Sequence, residues 1–345
     1  MMVRKSISVL DHCEAIMSLY TPLKILHSSQ RNGTICLCTH VSTNETFAMK
    51  TIAKSTTSSA NRPVYEKLLN LPYHPNLMQV YDVYEDPAFY YLILERLEGG
   101  DLHQYLNKSR GFYEGDYKRI MYEVLSGLAH LHNNGLIHRD IKPENLMWLR
   151  PPKDHYIAPG IARPGACTKI VDIDTCLIDG TSSGRVFGTP GFMAPEVWLE
   201  RGPSRSTDLF SVGVTLYLMV THHMPFNQEI FTSRYYKRIK IATDRGIMRR
   251  CLCGAPRLTK HQVIFKAMQA AEVDFSAPHW SVMRGAQDLV KLLIAHDYTC
   301  RPISVQAVMT HDWFKGLFKI KRLSVPDDDE ESSSTAKRRR STRTD

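Results

Sequence analysis

His138-Arg139-Asp140-Ile141-Lys142-Pro143-Glu144-Asn145 is the stretch on which the reading of this chain turns. It sets a carboxylate, an ammonium and a side-chain amide within one short run. Singly, each residue has an ordinary explanation. An Asp after an Arg is usually a surface or capping residue, and a lone Lys50 would be an edge-strand charge. Meaning comes from what accompanies the run, in order. Upstream stand Phe47-Ala48-Met49-Lys50 and Glu95-Arg96-Leu97-Glu98-Gly99-Gly100-Asp101-Leu102. Downstream stand Asp172-Ile173-Asp174, Gly188-Thr189-Pro190-Gly191-Phe192-Met193-Ala194-Pro195-Glu196, Asp208 and Cys300-Arg301-Pro302.

Composition sets the outer bounds. The 345 residues are 43% hydrophobic and 23% charged, enough for a sizeable core and against wholesale disorder. The best apolar run, Leu209 to Val220, contains Ser211 and Thr215. It falls short of the ~20 apolar residues that cross a bilayer. Met1 to Lys5 lacks the features of a signal peptide. The chain therefore reads as intracellular, cytoplasmic or nuclear or both, without a membrane span. Lys plus Arg is 44 against 35 Asp plus Glu, a net +9. Solubility is the plain reading, and an acidic partner, nucleic acid or a membrane surface the sharper one. Among eight cysteines, the pairs Cys36/Cys38 and Cys251/Cys253 lack second halves at zinc spacing. They read as reduced, mostly buried thiols.

Character changes along the chain. Ile35 to Cys38, Phe47 to Lys50 and Tyr90 to Leu94 read as strands, with a helix over Asn61 to Leu71 between them. From Asp101 onward helical spacing dominates: Tyr117 to Asn133, Leu209 to Val220, Ala286 to Ala295 and Val305 to Phe314. Leu149 to Cys167 is rich in Pro and Gly and reads as an exposed loop. Ser233 to Lys260 is strongly basic, with Asp244 its single acid. After Phe318 the chain is polar, with an acidic run at Asp327 to Glu331 and a basic one at Lys337 to Arg340.

Together these motifs resemble the eukaryotic-type Ser/Thr protein kinase family, whose catalytic loop reads H-R-D-L-x-x-x-N. Phe275-Ser276-Ala277-Pro278-His279-Trp280 looks most like its calcium/calmodulin-dependent group. The resemblance implies an α+β, bilobal protein-kinase fold over residues 20–314. A small β-rich N-lobe would span 20–97 and a larger α-helical C-lobe 98–314, with insertions at 149–167 and 233–260. Residues 1–19 would be an N-terminal extension and 315–345 a charged, disordered tail. The implied reaction moves the ATP γ-phosphate to Ser or Thr hydroxyls of protein substrates, with Mg²⁺. Asp140 would orient the acceptor hydroxyl, Lys142 would sit near the γ-phosphate, and Lys50 would hold the α- and β-phosphates. Asn145 and Asp172 would bind the metal. Glu66 is the expected ion-pair partner of Lys50, although its interval to His74-Pro75-Asn76 is about one residue shorter than usual. His27, Ser28, Gln30, Gly33, Ile35, Ala48, Leu94 and Leu146 would line the nucleotide site. The backbone of Glu95 and Leu97 would meet adenine, with Leu94 as gatekeeper, and Asp101 would approach the ribose. Glu196 and Arg301 match a buried pair, and Asp208 matches the anchor of the catalytic loop.

Two departures matter. Asp172-Ile173-Asp174 stands where the family has D-F-G, so an Asp replaces a glycine that permits unusual backbone angles. That Asp adds an anion near the phosphates, or a further metal contact. Ser28-Ser29-Gln30-Arg31-Asn32-Gly33-Thr34-Ile35 keeps only the third glycine of G-x-G-x-x-G-x-V. These departures motivate the competing reading, a pseudokinase that binds without turnover. Nucleic-acid binding through the basic insertion is the lesser alternative, since no nucleic-acid module accompanies the charge. Glu98, Asp101 and Glu144 imply a preference for Arg or Lys upstream of the acceptor. Lys321-Arg322-Leu323-Ser324 and Arg338-Arg339-Arg340-Ser341 fit that preference within the chain itself. An upstream activating kinase is a further expected partner. Thr181, Ser182 and Ser183 are candidate sites for it, with Arg139 placed to meet the phosphate. Trp313 to Leu323 reads as a final domain helix, with a calmodulin site as the alternative.

Overall fold

Period-two alternation in Thr46–Ala53 decides how the N-terminal sheet is covered. Ala48, Lys50 and Ile52 share one face of that strand and Met49 the other. The computed structural model describes residues 5–29, 33–54, 61–108, 112–150, 156–158, 161–162, 167–181, 186–199, 201–239 and 258–317. Within them the strands β1 (Ser8–Val9), β2 (Tyr20–Ser29), β3 (Gly33–His40), β4 (Thr46–Ala53), β5 (Val80–Glu85) and β6 (Phe89–Leu94) form one sheet. Its order is β1-β5-β6-β4-β3-β2. β1 runs parallel to β5, and the other pairings are antiparallel. Ala48, Ile52, Leu92 and Leu94 face the main core. Met49, Cys36, Cys38, Tyr91 and Ile93 form a smaller core on the opposite face.

That second core is closed by the segment set apart in the sequence as an extension. Helix α1 (Ala15–Leu19) buries Ile16 there, next to Tyr20. β1 covers the free side of β5, and the Leu10 amide donates to the Glu85 carbonyl at 2.7 Å. The Lys5 amide donates to Asn70 Oδ1 and its ammonium to the Tyr81 carbonyl. Residues 5–19 are thus built into the small lobe.

Helix α2 (Asn61–Leu69) packs on the sheet through Val64, Tyr65, Leu68 and Leu69. After α3 (Leu102–Lys108), the long α4 (Glu114–Asn133) buries Ile120, Met121, Val124, Leu125, Leu128 and Leu131, the stripe its sequence predicts. Two short ribbons follow. β7 (Leu136–Ile137) pairs with β12 (Leu177–Ile178), and β8 (Leu146–Trp148) pairs with β11 (Thr168–Ile170). Between these ribbons, loop 138–145 and segment 171–176 are brought face to face. In the first insertion, β9 (Tyr156–Ala158) and β10 (Ile161–Ala162) pair antiparallel, where sequence predicts only a loop.

Helix α5 (Arg205–Thr221) is buried nearly all round, as its mostly apolar run Leu209 to Val220 requires. Only 233–239 and 258–260 of the basic insertion lie among the described residues. α6 (Lys260–Gln269) starts on a reciprocal cap between Thr259 and Gln262. α7 (Pro278–Val282) and the amphipathic α8 (Arg284–Leu293) follow, the latter packed on α5. α9 covers Val305–Met309 only, shorter than the predicted helix to Phe314. There His311 Nδ1 accepts the Trp313 amide and starts a separate 3₁₀ turn over Asp312–Phe314. Trp313 and Phe314 are buried, and Trp313 Nε1 donates to Glu114 Oε1 at 2.9 Å. The helix predicted from Trp313 does not form over 313–317, and the rest of the tail lies outside the described residues. Among the described residues, no helix is long and apolar enough to cross a membrane.

Candidate active site

Asp208 near the start of α5 organises the loop that carries Asp140. It is fully buried and accepts His132 Nε2–H at 2.8 Å, the His138 amide at 2.9 Å and the Arg139 amide at 2.8 Å. Burial by itself raises a carboxyl pKa. Here the hydrogen bond and charge of His132, with smaller help from His138 and the Arg139 amide, outweigh it and hold Asp208 below the ordinary range. These bonds stabilise a left-handed backbone at Arg139, whose φ is +74°. The half-buried Arg139 guanidinium, with its pKa lowered by partial desolvation, donates to the Thr175 carbonyl at 2.7 Å. It also lies 4.4 Å over the Phe187 ring. The group expected to meet an activating phosphate is therefore engaged by backbone oxygens. Thr181 is exposed and its hydroxyl donates to the Ile178 carbonyl; Ser182 and Ser183 lie outside the described residues.

His138 joins the two halves of the site. The Val171 carbonyl can only accept, so Nε2 carries the proton in their 2.9 Å bond. Nδ1 then accepts the Asp140 amide at 3.2 Å. One ring thus fixes the backbone at both Asp140 and Val171, next to Asp172.

Around Asp140 the expected residues converge. Its Oδ1 accepts the Thr189 amide at 2.9 Å, and its Oδ2 lies 2.9 Å from the Lys142 ammonium. The same ammonium donates to Thr189 Oγ1 at 2.6 Å. Asn145 Nδ2 donates to the Asp140 carbonyl at 2.7 Å and to Oδ2 at 3.1 Å. Both donor bonds turn the Asn145 amide oxygen away from Asp140, free to take a cation. Asn145 and Asp172 thus present hard oxygen ligands, which suit Mg²⁺. Among the described residues, no three His, Cys, Asp or Glu side chains form a metal cage alone. Mg²⁺ ordinarily takes one or two carboxylates and completes its shell with phosphates and waters.

Lys50 is 2% exposed, in register with Ile35 on β3 and Leu92 on β6. Its ammonium meets Asp172 Oδ1 at 2.5 Å and Asp174 Oδ1 at 2.6 Å. Burial disfavours its charge, but the two carboxylates outweigh that and raise its pKa. For Asp172 burial opposes the charged form, and Lys50 overcomes it and lowers the pKa. Asp174 goes up instead, through its burial and the neighbouring Asp172, against the pull of Lys50. The left-handed residue here is Asp172, at φ +60°, and not Asp174. Asp174 sits in the 3₁₀ turn Ile173–Thr175, so no unusual backbone angle is asked of it. Ile173 fills an apolar slot in the main core.

Glu66 is not beside Lys50. It pairs with Arg62, one turn back on α2, at 3.2 Å, and its side chain is 44% exposed. Arg62 also pairs with Glu85 at the end of β5, which Lys54 meets at 2.9 Å. The sequence reading missed Asp174 as a partner of Lys50.

The positions expected from the sequence to line a nucleotide site are placed as follows. Ala48 and Leu94 are cross-strand neighbours and buried. Leu146 is fully buried. The Glu95 carboxylate meets the buried Lys169 ammonium at 3.0 Å. Among the described residues, neither the Leu97 amide nor its carbonyl has a partner, whereas the next two amides bond to the Leu149 and Trp148 carbonyls. Asp101 Oδ1 accepts the Gln104 amide and so caps α3. His27 pairs with Ile35 across β2 and β3, and the Ser28 hydroxyl lies 3.1 Å from that of Thr34. Gln30 lies outside the described residues. Gly33 has φ +77°, and a Cβ there would run into the Thr51 carbonyl oxygen. Strand approach requires that glycine. Glu196 and Arg301 form a buried two-pronged pair at 2.6 and 3.0 Å.

The family described as Protein kinase domain matches residues 30–314. Calcium/calmodulin-dependent protein kinase type IV of Mus musculus is 29% identical over 280 residues, 81% of this chain and 51% of that protein. Serine/threonine-protein kinase DCLK3 of Mus musculus is 28% identical over 287 residues, 82% of this chain and 31% of that protein. Calcium/calmodulin-dependent protein kinase type 1 of Caenorhabditis elegans is 27% identical over 256 residues, 72% and 60% respectively. The chain thus spans about a third to three fifths of the length of these relatives. With the family match covering most of the chain, around a loop, a lysine and a buried aspartate arranged as above, the chain belongs to the protein kinase family.

Proposed function

We propose that the chain is an ATP-dependent Ser/Thr protein kinase. The observation that carries this is the closed set Asp140–Lys142–Thr189–Asn145, with bonds of 2.6 to 3.1 Å. The reaction needs an acceptor hydroxyl held in line and charge neutralised on the transferred phosphoryl group. Asp140 takes the hydroxyl proton, and Lys142 stands beside it as the cation for the γ-phosphate. Thr189 ties the segment 188–196 to both through its amide and hydroxyl. Lys50 takes the α- and β-phosphates, and Leu97 offers its open amide and carbonyl to adenine. Asn145 and Asp172 would hold Mg²⁺, which supplies charge neutralisation on the phosphates. The name of one relative, serine/threonine-protein kinase DCLK3, supports Ser/Thr hydroxyls as acceptors.

Glu98, Asp101 and the exposed Glu144 support basic protein substrates. Asp101 already caps α3 and Glu98 pairs with Arg96 at 2.9 Å, so the exposed Glu144 carries more of that reading. The proposed site of action is intracellular, in cytoplasm, nucleus or both.

The test is radiolabelled phosphate transfer from Mg-ATP to a basic peptide. Asp140→Ala should lower the rate by about 10²–10⁴-fold, the range for loss of a general acid–base group. A peptide with Arg upstream of the Ser should exceed its Glu counterpart by about tenfold. A folded parent that transfers nothing under any activating condition would favour the binding module, a reading suggested by the two carboxylates already on Lys50.

A further inference from the structure

We infer that Asp174, and not Glu66, is the residue that positions Lys50 for phosphate. The inference rests on the kinase reading above and concerns how that site is built. A buried ammonium requires an anion beside it. Three carboxylates come into question for Lys50, and the structure separates them. Glu66 faces Arg62 on the partly exposed side of α2. The face of α2 turned inward carries Val64, Tyr65 and Leu68. Tyr65 is 1% exposed and packs edge-on against Tyr90 at 5.0 Å. Successive helical residues are rotated by about 100°, so bringing Glu66 inward would pull Tyr65 and Leu68 out of the core. Arg62 bound to Glu85, and Asn70 bound to the Lys5 amide, hold the helix in that rotation.

Asp172 is close enough, but it is also the carboxylate that suits the metal. Oxygens committed to a cation give less to Lys50. Among the described residues, the side-chain partner of Asp174 is Lys50. Asp174 reaches Lys50 at 2.6 Å from a regular turn, its side chain is 13% exposed, and the turn is held by Thr175 bonded to the Asp172 and His138 carbonyls. The carboxylate that restrains Lys50 thus comes from the segment after the metal ligand and not from the helix. The substitution of glycine by Asp at 174 and the exposed Glu66 are then two sides of one rearrangement.

Four variants test this: Asp174→Asn, Asp174→Glu, Asp174→Gly and Glu66→Gln. Steady-state kcat and KM for ATP are read with a basic peptide, and a fluorescent ATP analogue reports binding. Asp174→Asn and Asp174→Gly should lower kcat about tenfold or more with KM for ATP changed by less than about threefold. Asp174→Glu should recover part of the loss. The loss at Asp174 should exceed the loss at Glu66 by about tenfold. A kcat unchanged or raised in Asp174→Asn, or a larger loss in Glu66→Gln, overturns the proposal while the kinase reading stands. A folded parent that neither transfers phosphate nor binds the analogue overturns the kinase reading, and the proposal with it.

Discussion

Asp208 gathers three N–H donors on one buried carboxylate, and two of them belong to the backbone that presents Asp140. Asp208→Asn would turn an NH₂ group toward donors, leaving buried polar groups unpaired. The expected cost is about 3 kcal/mol of stability. Its pH dependence has a definite sign. The folded carboxyl titrates below the unfolded one, so its contribution is complete above the unfolded value of about 4. It is lost as pH falls below that. Denaturant unfolding of parent and variant should show a constant gap from pH 7 to about 4 and a shrinking gap in more acid solution. A gap that persists unchanged at lower pH would contradict the assignment. The neighbourhood of Asp140, Lys142 and Asn145 was legible in the sequence because a short fixed spacing carries their geometry, whereas Asp208, far along the chain, was read from its family resemblance. Glu66 was not. Its direction depends on the rotation of α2, and a connection to His74 shorter by one residue turns a helix by about 100°. Asp174 was read as an extra anion, but nothing local in sequence says which cation it meets.

At the scale of elements, β3 begins under a constraint that has nothing to do with nucleotide. Gly33 is left-handed and lies against the Thr51 carbonyl on β4. Gly33→Ala should therefore cost more than about 1 kcal/mol, seen as a lower Tm without ligand. An unchanged Tm would mean the strand end gives way freely. The long helices α4 and α5 could be read from their apolar periods, since many residues vote on each. Ends were harder. α9 stops at Met309 because the His311 side chain starts a new turn, a single hydrogen bond that hydrophobic pattern cannot register. The β9–β10 pair was hidden by the Pro and Gly around it, which read as loop. The helix expected from Trp313 failed for a related reason. The ring that suggested an amphipathic face is sunk in the core and bonded to Glu114 at the head of α4.

Over the whole molecule, long-range pairs hold segments distant in sequence. Arg301 and Glu196 join the segment 188–196 to the residues before α9, with Arg301 also 4.9 Å over the Phe210 ring. Removing one partner strands the other in a dry site. Arg301→Ala should cost about 3–5 kcal/mol, measured by denaturant unfolding, and Arg301→Lys should recover only part of it because a two-pronged bond is lost. Equal stability of parent and both variants would refute this. The division into a β-rich and an α-rich part was legible from the change of period near Asp101. The place of residues 5–19 was not, because their partners lie far along the chain and β1 has only two residues to announce itself. That pairing bears on the order of assembly as the chain is made. β1 leaves the ribosome before β2, β3 and β4, yet it can pair only with β5, and β5 is itself joined to the sheet through β6. The meander β2-β3-β4 can close while Ser8 still has no neighbour. Of these six strands, the earliest to be synthesised gains its partner only once Val80–Glu85 has emerged, so the nascent small lobe is open on that side until then.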